Sequence, residues 1–368
     1  MNAAQQTAGL RLKGWRLWLP GLAILLLFAA HTVYWRYAVH RLRSGLSSWT
    51  EQRRAEGWVV SSGPAVVGGW PWAAAISLPN VSLKGGDPAI PGGLTWSAER
   101  ALLRVALLRP RQFVLSAEGM EHLGLASGPE IVFAADRLTA ELPLLADVPM
   151  HAAEILGRNL RIALSPAEGT AGRAADLTQG LTLGLVQAQW EARPAALPGE
   201  PALSLHLTSE AISLPPGERW PLGRRISSLS LEGAVQGPVP NMASSLAQRA
   251  AAWRDGGGTL AIEHLSLGWG PLGLSARATL ALDDQLQPMG TGSARLVGYA
   301  ETLAALAENG LISAHTATAV RALLALIAKV PEEGGQAEVE VPLTLQDRTL
   351  SIRQIPLERL PAWVWRGS

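Results

Sequence analysis

The chain has 368 residues, 48% hydrophobic and 17% charged, with Lys+Arg 31 against Asp+Glu 30. That length suits one large or two ordinary domains, and the apolar fraction excludes a mostly disordered chain. Balanced charge offers no basic stripe for nucleic acid, and the absence of cysteine excludes disulfides, thiolate chemistry and Cys-ligated metal centres.

The first predicted element is a membrane anchor at Leu17–Val33, read from LWLPGLAILLLFAAHTV. Seventeen helical residues rise about 26 Å, close to a hydrocarbon core of about 30 Å. Trp15, Trp18, Tyr34, Trp35 and Tyr37 bracket it at the positions that aromatic side chains favour beside headgroups. A cleaved signal peptide is the alternative. Phe28 and Leu27 stand where such cleavage wants a small residue, and the apolar run is longer than a usual signal core. Three basic residues, Arg11, Lys13 and Arg16, precede the span, and five arginines follow by Arg54. That count draws the C-terminal side inward, but long domains cross largely regardless of charge, so the residues leave both orientations open.

Beyond the anchor the expected divisions are a cytoplasmic tail at 1–16, the anchor at 17–37, a juxtamembrane helix at 38–56 and a β-rich domain at 57–368. Val39, Leu42, Leu46 and Trp49 follow helical spacing, and Gly57 suits a helix stop. Period-2 alternation then dominates. Leu138, Ala140 and Leu142 form one run, Leu160, Ile162 and Leu164 a second, and Leu203, Leu205 and Leu207 a third. The cleanest run is Leu272–Leu282, ended by Asp283-Asp284. Val339–Leu345 makes another, with Asp347-Arg348 as a tight turn into Leu350–Ile355. Helices are expected at Pro240–Arg254, between two β halves near 57–236 and 257–368. A helical hairpin is expected from Tyr299–Glu308 and Ser313–Lys329, broken at Asn309-Gly310 and capped by Ser313, with Leu303, Leu306, Leu323, Leu324 and Ile327 as its apolar stripe. The fold class that results is mainly β with minor α: a transmembrane helix, then a long, curved antiparallel sheet with a helical hairpin near the C-terminus. Trp70-Pro71, Trp220-Pro221 and Trp269-Gly270-Pro271 recur irregularly, as aromatic and turn chemistry at strand starts.

Catalytic signals are missing. The seven histidines are scattered, and no H-E-x-x-H, G-x-S-x-G or phosphate-cradling loop occurs. His151 and Glu154 would share a face if helical, without the further ligands a metal needs. Glu263 and His264 adjoin in a strand and so point to opposite faces. Gly290-Thr291-Gly292 reads as a turn, and Asp283-Asp284 and Glu332-Glu333 as solvated loop acids. Asn80-Val81-Ser82 matches a glycosylation triplet of the kind that arises by chance. The fourteen tryptophans read as core and turn packing, with Trp363 and Trp365 suited to a membrane surface. No catalytic, cofactor-binding or metal-binding residue is assigned, and no cofactor is expected.

Several stretches together resemble the bacterial family DUF2125. They are the anchor; Glu51-Gln52-Arg53-Arg54-Ala55-Glu56-Gly57-Trp58; Val67-Gly68-Gly69-Trp70-Pro71; Trp269-Gly270-Pro271-Leu272; Pro288-Met289-Gly290; Leu345-Gln346-Asp347-Arg348; Ile355-Pro356-Leu357; and Leu360-Pro361. At Asp347-Arg348 a glycine would be typical. More loosely the pattern is similar to AsmA-like envelope proteins, which have an inner-membrane anchor and a β-rich periplasmic part implicated in lipid handling. The resemblance implies a single-pass protein of the bacterial inner membrane with its C-terminal domain in the periplasm, and supplies no catalytic residues. The expected partners are the bilayer, through Leu17 to Val33, and either lipid acyl chains held on an apolar β-surface or an envelope protein docked on a scaffold; nucleic acid is not among them.

Overall fold

The computed structural model describes residues 13–85, 93–125, 130–144, 152–164, 176–193, 196–217, 219–240, 245–329, 336–352 and 355–365. His151, Glu332-Glu333 and most of the tail at 1–16 lie outside them. One helix, α1 (Lys13–Ala55), carries both the expected anchor and the juxtamembrane helix, with Pro20 inside it. It is long and apolar enough to cross a membrane, and its apolar stretch is almost free of contact with the rest of the chain. Gly57, at φ 87, follows the helix in the left-handed region that a stop requires.

The remainder is one antiparallel sheet. Its strands are β1 (Val59–Ser61), β2 (Val66–Gly68), β3 (Ala73–Gly85), β4 (Leu94–Ala106), β5 (Gln112–Leu125), β6 (Ile131–Ala134), β7 (Arg137–Pro143), β8 (Ala152–Leu164) and β9 (Leu181–Ala192). They continue as β10 (Pro201–Ser213), β11 (Arg225–Gln236), β12 (Thr259–Trp269), β13 (Leu272–Leu282), β14 (Pro288–Val297), β15 (Glu338–Gln346), β16 (Thr349–Ile352) and β17 (Ile355–Arg359). Both β1 and β2 lie along β3, and β6 and β7 share the place between β5 and β8. From β8 to β17 each strand pairs with the next in sequence, so the sheet is a continuous meander.

Three helices interrupt the meander: α2 (Leu246–Asp255), α3 (Tyr299–Glu308) and α4 (Ala314–Ile327). Helix α2 begins later than the expected Pro240, because Ser245 and Gln248 close a reciprocal capping box there. It does not interrupt the sheet, since β11 and β12 on either side of it are paired from Gln236↔Thr259 onward. The hairpin forms as expected: Asn309 ends α3, Gly310 has φ 74, and the Ser313 hydroxyl accepts from the Thr316 N–H at 3.0 Å.

Four sequence expectations change. Gly290-Thr291-Gly292 is strand, not turn, in β14. A Cβ at Gly290 would meet the Thr279 carbonyl oxygen at 2.1 Å, and one at Gly292 the Arg277 carbonyl oxygen at 2.5 Å. The glycines admit close strand approach and do not make a bend. Ala152-Ala153-Glu154 begins β8, so the helical spacing imagined for His151 and Glu154 does not arise. The run Leu350–Ile355 is two strands, β16 and β17, paired at Ile352↔Ile355. Around Glu263-His264 a β-bulge breaks simple alternation, and both side chains are exposed. Asp347 and Arg348, at φ 49 and φ 62, do form the tight turn, in the primed type that matches strand twist.

Candidate functional site

Directly opposed residues in a sheet share a face, so the registers show which side chains form one surface. One row runs Ile76, Leu103, Leu115, Ala140, Ile155, Ala188, Leu207, Leu231, Leu265, Ala276, Ala294 and Val341, crossing β3–β5 and β7–β15 with an apolar side chain at every step. At about 4.8 Å per strand its eleven steps span about 50 Å along the sheet. A parallel row one pleat away runs from Leu78 to Val339 and departs from apolar character only at Gly157 and Ser209. A third carries Ala153, Trp190, Leu205, Gly233, Ile262, Ala278, Gly292, Leu343 and Ile352.

Among the described residues, α1 and α4 pack on the two ends of this face, and α2 lies against β13. Leu42 and Leu46 of α1 pack on the cluster of Ile76, Leu78, Val81, Ala101 and Leu103. Leu324 of α4, Ala328 and Tyr299 pack on Ala294, Val339 and Val341. Burial follows the covering. Ile76 and Val339 are 0% exposed, whereas Ala140, Ile155, Ala188, Leu207, Leu231 and Leu265, in the middle of the first row, are only half-buried. Between β7 and β12 an apolar surface therefore lies open between two helical ends. The run Leu272–Leu282 borders it: Leu274, Ala276, Ala278 and Leu280 are on the apolar side, Leu274 and Ala276 against the α4-covered cluster, and Arg277 and Thr279 are exposed on the other side.

Among the described residues one buried acid stands on the apolar face. Glu121 follows Val81 and Ala98 in a row that continues to Phe133 and Ile162, and it is 2% exposed. Burial pushes its pKa up to about 7, opposed in part by the Trp96 indole, whose Nε1 donates to Oε2 at 3.1 Å. The alternation Phe113, Leu115, Ala117, Glu121, Leu123 set an acid in the apolar phase of β5, a signal that a reading of that strand would have found.

The opposite face is polar. Glu141, Glu154, Gln189, His206, Glu232 and His264 form one row on it. Gln112 donates to Glu141, and Gln187 donates to Glu154 at 2.9 Å. Neighbours in such a row stand at strand spacing, and among the described residues no three of His, Asp or Glu come together as a metal site. Elsewhere His31 Nε2 meets the Pro71 carbonyl oxygen at 2.7 Å, and His122 Nδ1 meets Glu130 at 3.1 Å; His40 and His315 are exposed on helices. Asp283 accepts from the backbone N–H groups of Gln285 and Gln287, the turn role expected of an acid there.

The tryptophans mostly pin turns. Trp220 and Trp269 meet edge-on at 6.4 Å, and their Nε1 atoms donate to the carbonyls of Pro215 and Gly223. Trp253 and Trp365 donate in the same way to Gln236 and Leu286. Trp190 lies on the apolar face itself, in the third row. It also lines an open cleft of about 940 Å³ with Leu205 and Arg109 and with Glu141, Glu154, His206 and Glu232 of the polar row, at the ends of β7–β11 that lie on the same side as Ala73, the start of β3. On that side Trp35 Nε1 of α1 donates to the Ala73 carbonyl at 2.9 Å.

Comparison with curated proteins and with solved structures finds no match in either. The family model described as an uncharacterized protein conserved in bacteria, DUF2125, matches residues 35–361, which takes in the whole sheet and all three of its helices; the looser AsmA-like resemblance is not shown by it. The chain, a membrane-length helix joined to a one-sheet meander with an uncovered apolar face, belongs to the DUF2125 family.

Proposed function

We propose that this protein is a non-enzymatic, membrane-anchored component of the bacterial cell envelope that holds lipid acyl chains against the uncovered apolar face of its sheet. The observation that carries the reading is the apolar row from Ile76 to Val341, covered by helices at both ends and half-buried between β7 and β12. A sealed core would bury that middle as thoroughly as Ile76 and Val339. An acyl chain matches the surface in chemistry, being long, apolar and free of hydrogen-bonding demands. No step of bond chemistry is assigned to the protein.

Photoreactive residues test this in cells expressing the full chain. Placed at Leu207 or Leu231, they should yield lipid adducts identifiable by mass spectrometry; at Thr208 or Ser230, on the opposite face, they should not. Equal labelling of both faces, or none at Leu207 and Leu231, would discard the lipid reading.

The proposed location is the inner membrane, with α1 as an uncleaved single-pass anchor and the sheet in the periplasm. Support for an uncleaved helix is that α1 runs without a break from the apolar segment into the residues that pack on β3. Alkaline phosphatase fused after Ser368 should be active, and a reporter that fluoresces only in the cytoplasm should be dark; the reverse pattern places the sheet inside.

A scaffold reading is favoured by a different observation. In α4, Leu323 and Ile327 of the expected stripe are 56% and 46% exposed and Leu326 beside them is 83% exposed, so this side of the helix faces away from the sheet. On that reading the exposed side of α4 would bind an envelope protein.

A further inference from the structure

We propose that the α1-side rim of the sheet is a membrane seat, set into the headgroup layer of the bilayer that α1 crosses, so that the apolar face opens directly onto one lipid leaflet. The inference rests on α1 being an anchor; it adds where the sheet stands and by which edge lipid reaches it.

The first argument is depth. Phe28 of α1 meets Trp70 edge-on at 5.5 Å, and His31 and Trp35 contact Pro71 and Ala73. Phe28 precedes Val33, the end of the apolar segment, by five residues, which is about 7–8 Å along a helix. The headgroup layer on each side of a bilayer is itself about 5–8 Å thick. The segment Trp70–Ala73 therefore cannot stand clear of the surface, because it is fastened to a part of α1 that lies within the membrane. Trp70 then occupies the level that tryptophan prefers.

The second argument is what the rest of that rim exposes. In an antiparallel meander, alternate connections return to the same side. The connections on the Ala73 side carry Leu108 after β4, Leu197 between β9 and β10, and Val239 after β11, while Trp72 leads into β3 itself. The C-terminal segment brings Trp363 and Val364 to the same side. There Gln287 holds Trp363 by two hydrogen bonds, accepting from its N–H at 2.8 Å and donating to its carbonyl at 3.2 Å. Trp72, Leu108, Leu197, Trp363 and Val364 are 72%, 88%, 63%, 61% and 74% exposed, and Val239 is 43% exposed. These residues come from five separate places in the sequence, yet they converge on the rim that α1 holds against the membrane. Arg109 and Arg111, both exposed, flank Leu108 where lipid phosphates would lie. The cleft of about 940 Å³ opens on this rim, where Leu108, Arg109 and Arg111 line it.

The chain contains no cysteine, so single-cysteine variants report one position each. The full-length protein is reconstituted in phosphatidylcholine–phosphatidylglycerol vesicles that contain nitroxide-labelled lipid. Leu108→Cys, Leu197→Cys and Val364→Cys on the rim, and Leu311→Cys and Leu326→Cys on the helical hairpin, each carry an environment-sensitive fluorophore. All five positions are exposed and apolar, so exposure alone does not separate the two groups. Rim labels should emit at shorter wavelength and lose most of their emission to headgroup-level nitroxides, while hairpin labels should keep theirs. Rim labels that behave like the label at Leu311 would overturn the seat. So would quenching of all five, which would mean that the sheet lies flat. Quenched rim labels without lipid adducts from Leu207 or Leu231 would remove acyl-chain binding and leave the seat standing; adducts without quenching would do the opposite.

Discussion

Asp at Val339 should abolish folding, whereas Asp at Leu231 should leave a folded protein that no longer yields lipid adducts. Val339 is 0% exposed within the cluster of Ala294, Val341, Leu274 and Leu324, with no cationic side chain in that cluster to pair with a carboxylate. An unpaired buried acid costs several kcal/mol even after it takes up a proton, against a total stability of about 5–15 kcal/mol. Leu231 is half-buried in the uncovered middle, where a carboxylate keeps much of its water. The gentler pair makes the comparison quantitative. Val339→Ala should cost about 2 kcal/mol, from lost burial plus an incompletely closed cavity. Leu231→Ala, although it removes more atoms, should cost about 1 kcal/mol or less, because little packing surrounds them. Arg277→Ala, on the exposed side of β13, should change stability by less than about 0.5 kcal/mol. Urea melts of the three alanine variants against the parent decide it. If Leu231→Ala is as costly as Val339→Ala, the middle of the face is sealed and holds no guest.

Glu121→Gln should stabilise the protein by about 3 kcal/mol at pH 8 and by almost nothing at pH 4. The folded state raises this acid from 4.5 to about 7, since it is 2% exposed on the apolar face. Between those values the folded chain holds the proton more tightly than the unfolded chain does. Its contribution is therefore complete below pH 4.5 and is lost as pH rises through 7, a total of about 3 kcal/mol at 1.36 kcal/mol per unit. Glutamine keeps a carbonyl oxygen for the Trp96 indole and has no charge to desolvate. Melting curves of parent and variant should converge in acid and separate above neutrality. Parallel curves from pH 4 to 8 would show that Glu121 is solvated in the folded protein.

Elements written in local pattern were legible without the structure. Leu272–Leu282 and Tyr299–Glu308 match β13 and α3 end to end, because alternation and helical spacing are properties of short windows. Ser313 could be read as a cap and Asp347-Arg348 as a turn for the same reason. The start of α2 was legible too, in the Ser245-Leu246-Ala247-Gln248 capping pattern, which the expected start at Pro240 passed over. The glycines of β14 misled because glycine serves both turns and close strand contacts, and only the neighbouring carbonyls of Thr279 and Arg277 distinguish the two. The site itself was half legible. Each Leu or Ala run showed that a strand had an apolar side. That Leu207, Leu231 and Leu265 continue one another, and that α1 and α4 pack on the ends of the face instead, depends on register and tertiary placement, which no single strand encodes.

The meander has a consequence for how the protein is made. No long strand from β3 onward waits for a partner far away in sequence, so the sheet is close to a one-dimensional array whose stability accrues between neighbours. Loop closure between such neighbours is brief, and pairing can advance strand by strand from β3, which α1 already braces. A chain synthesised N-terminus first could pair its strands in the order in which they emerge after α1. The same arithmetic governs divergence in length: gain or loss of one hairpin would widen or narrow the apolar face by about 10 Å and leave every other register untouched.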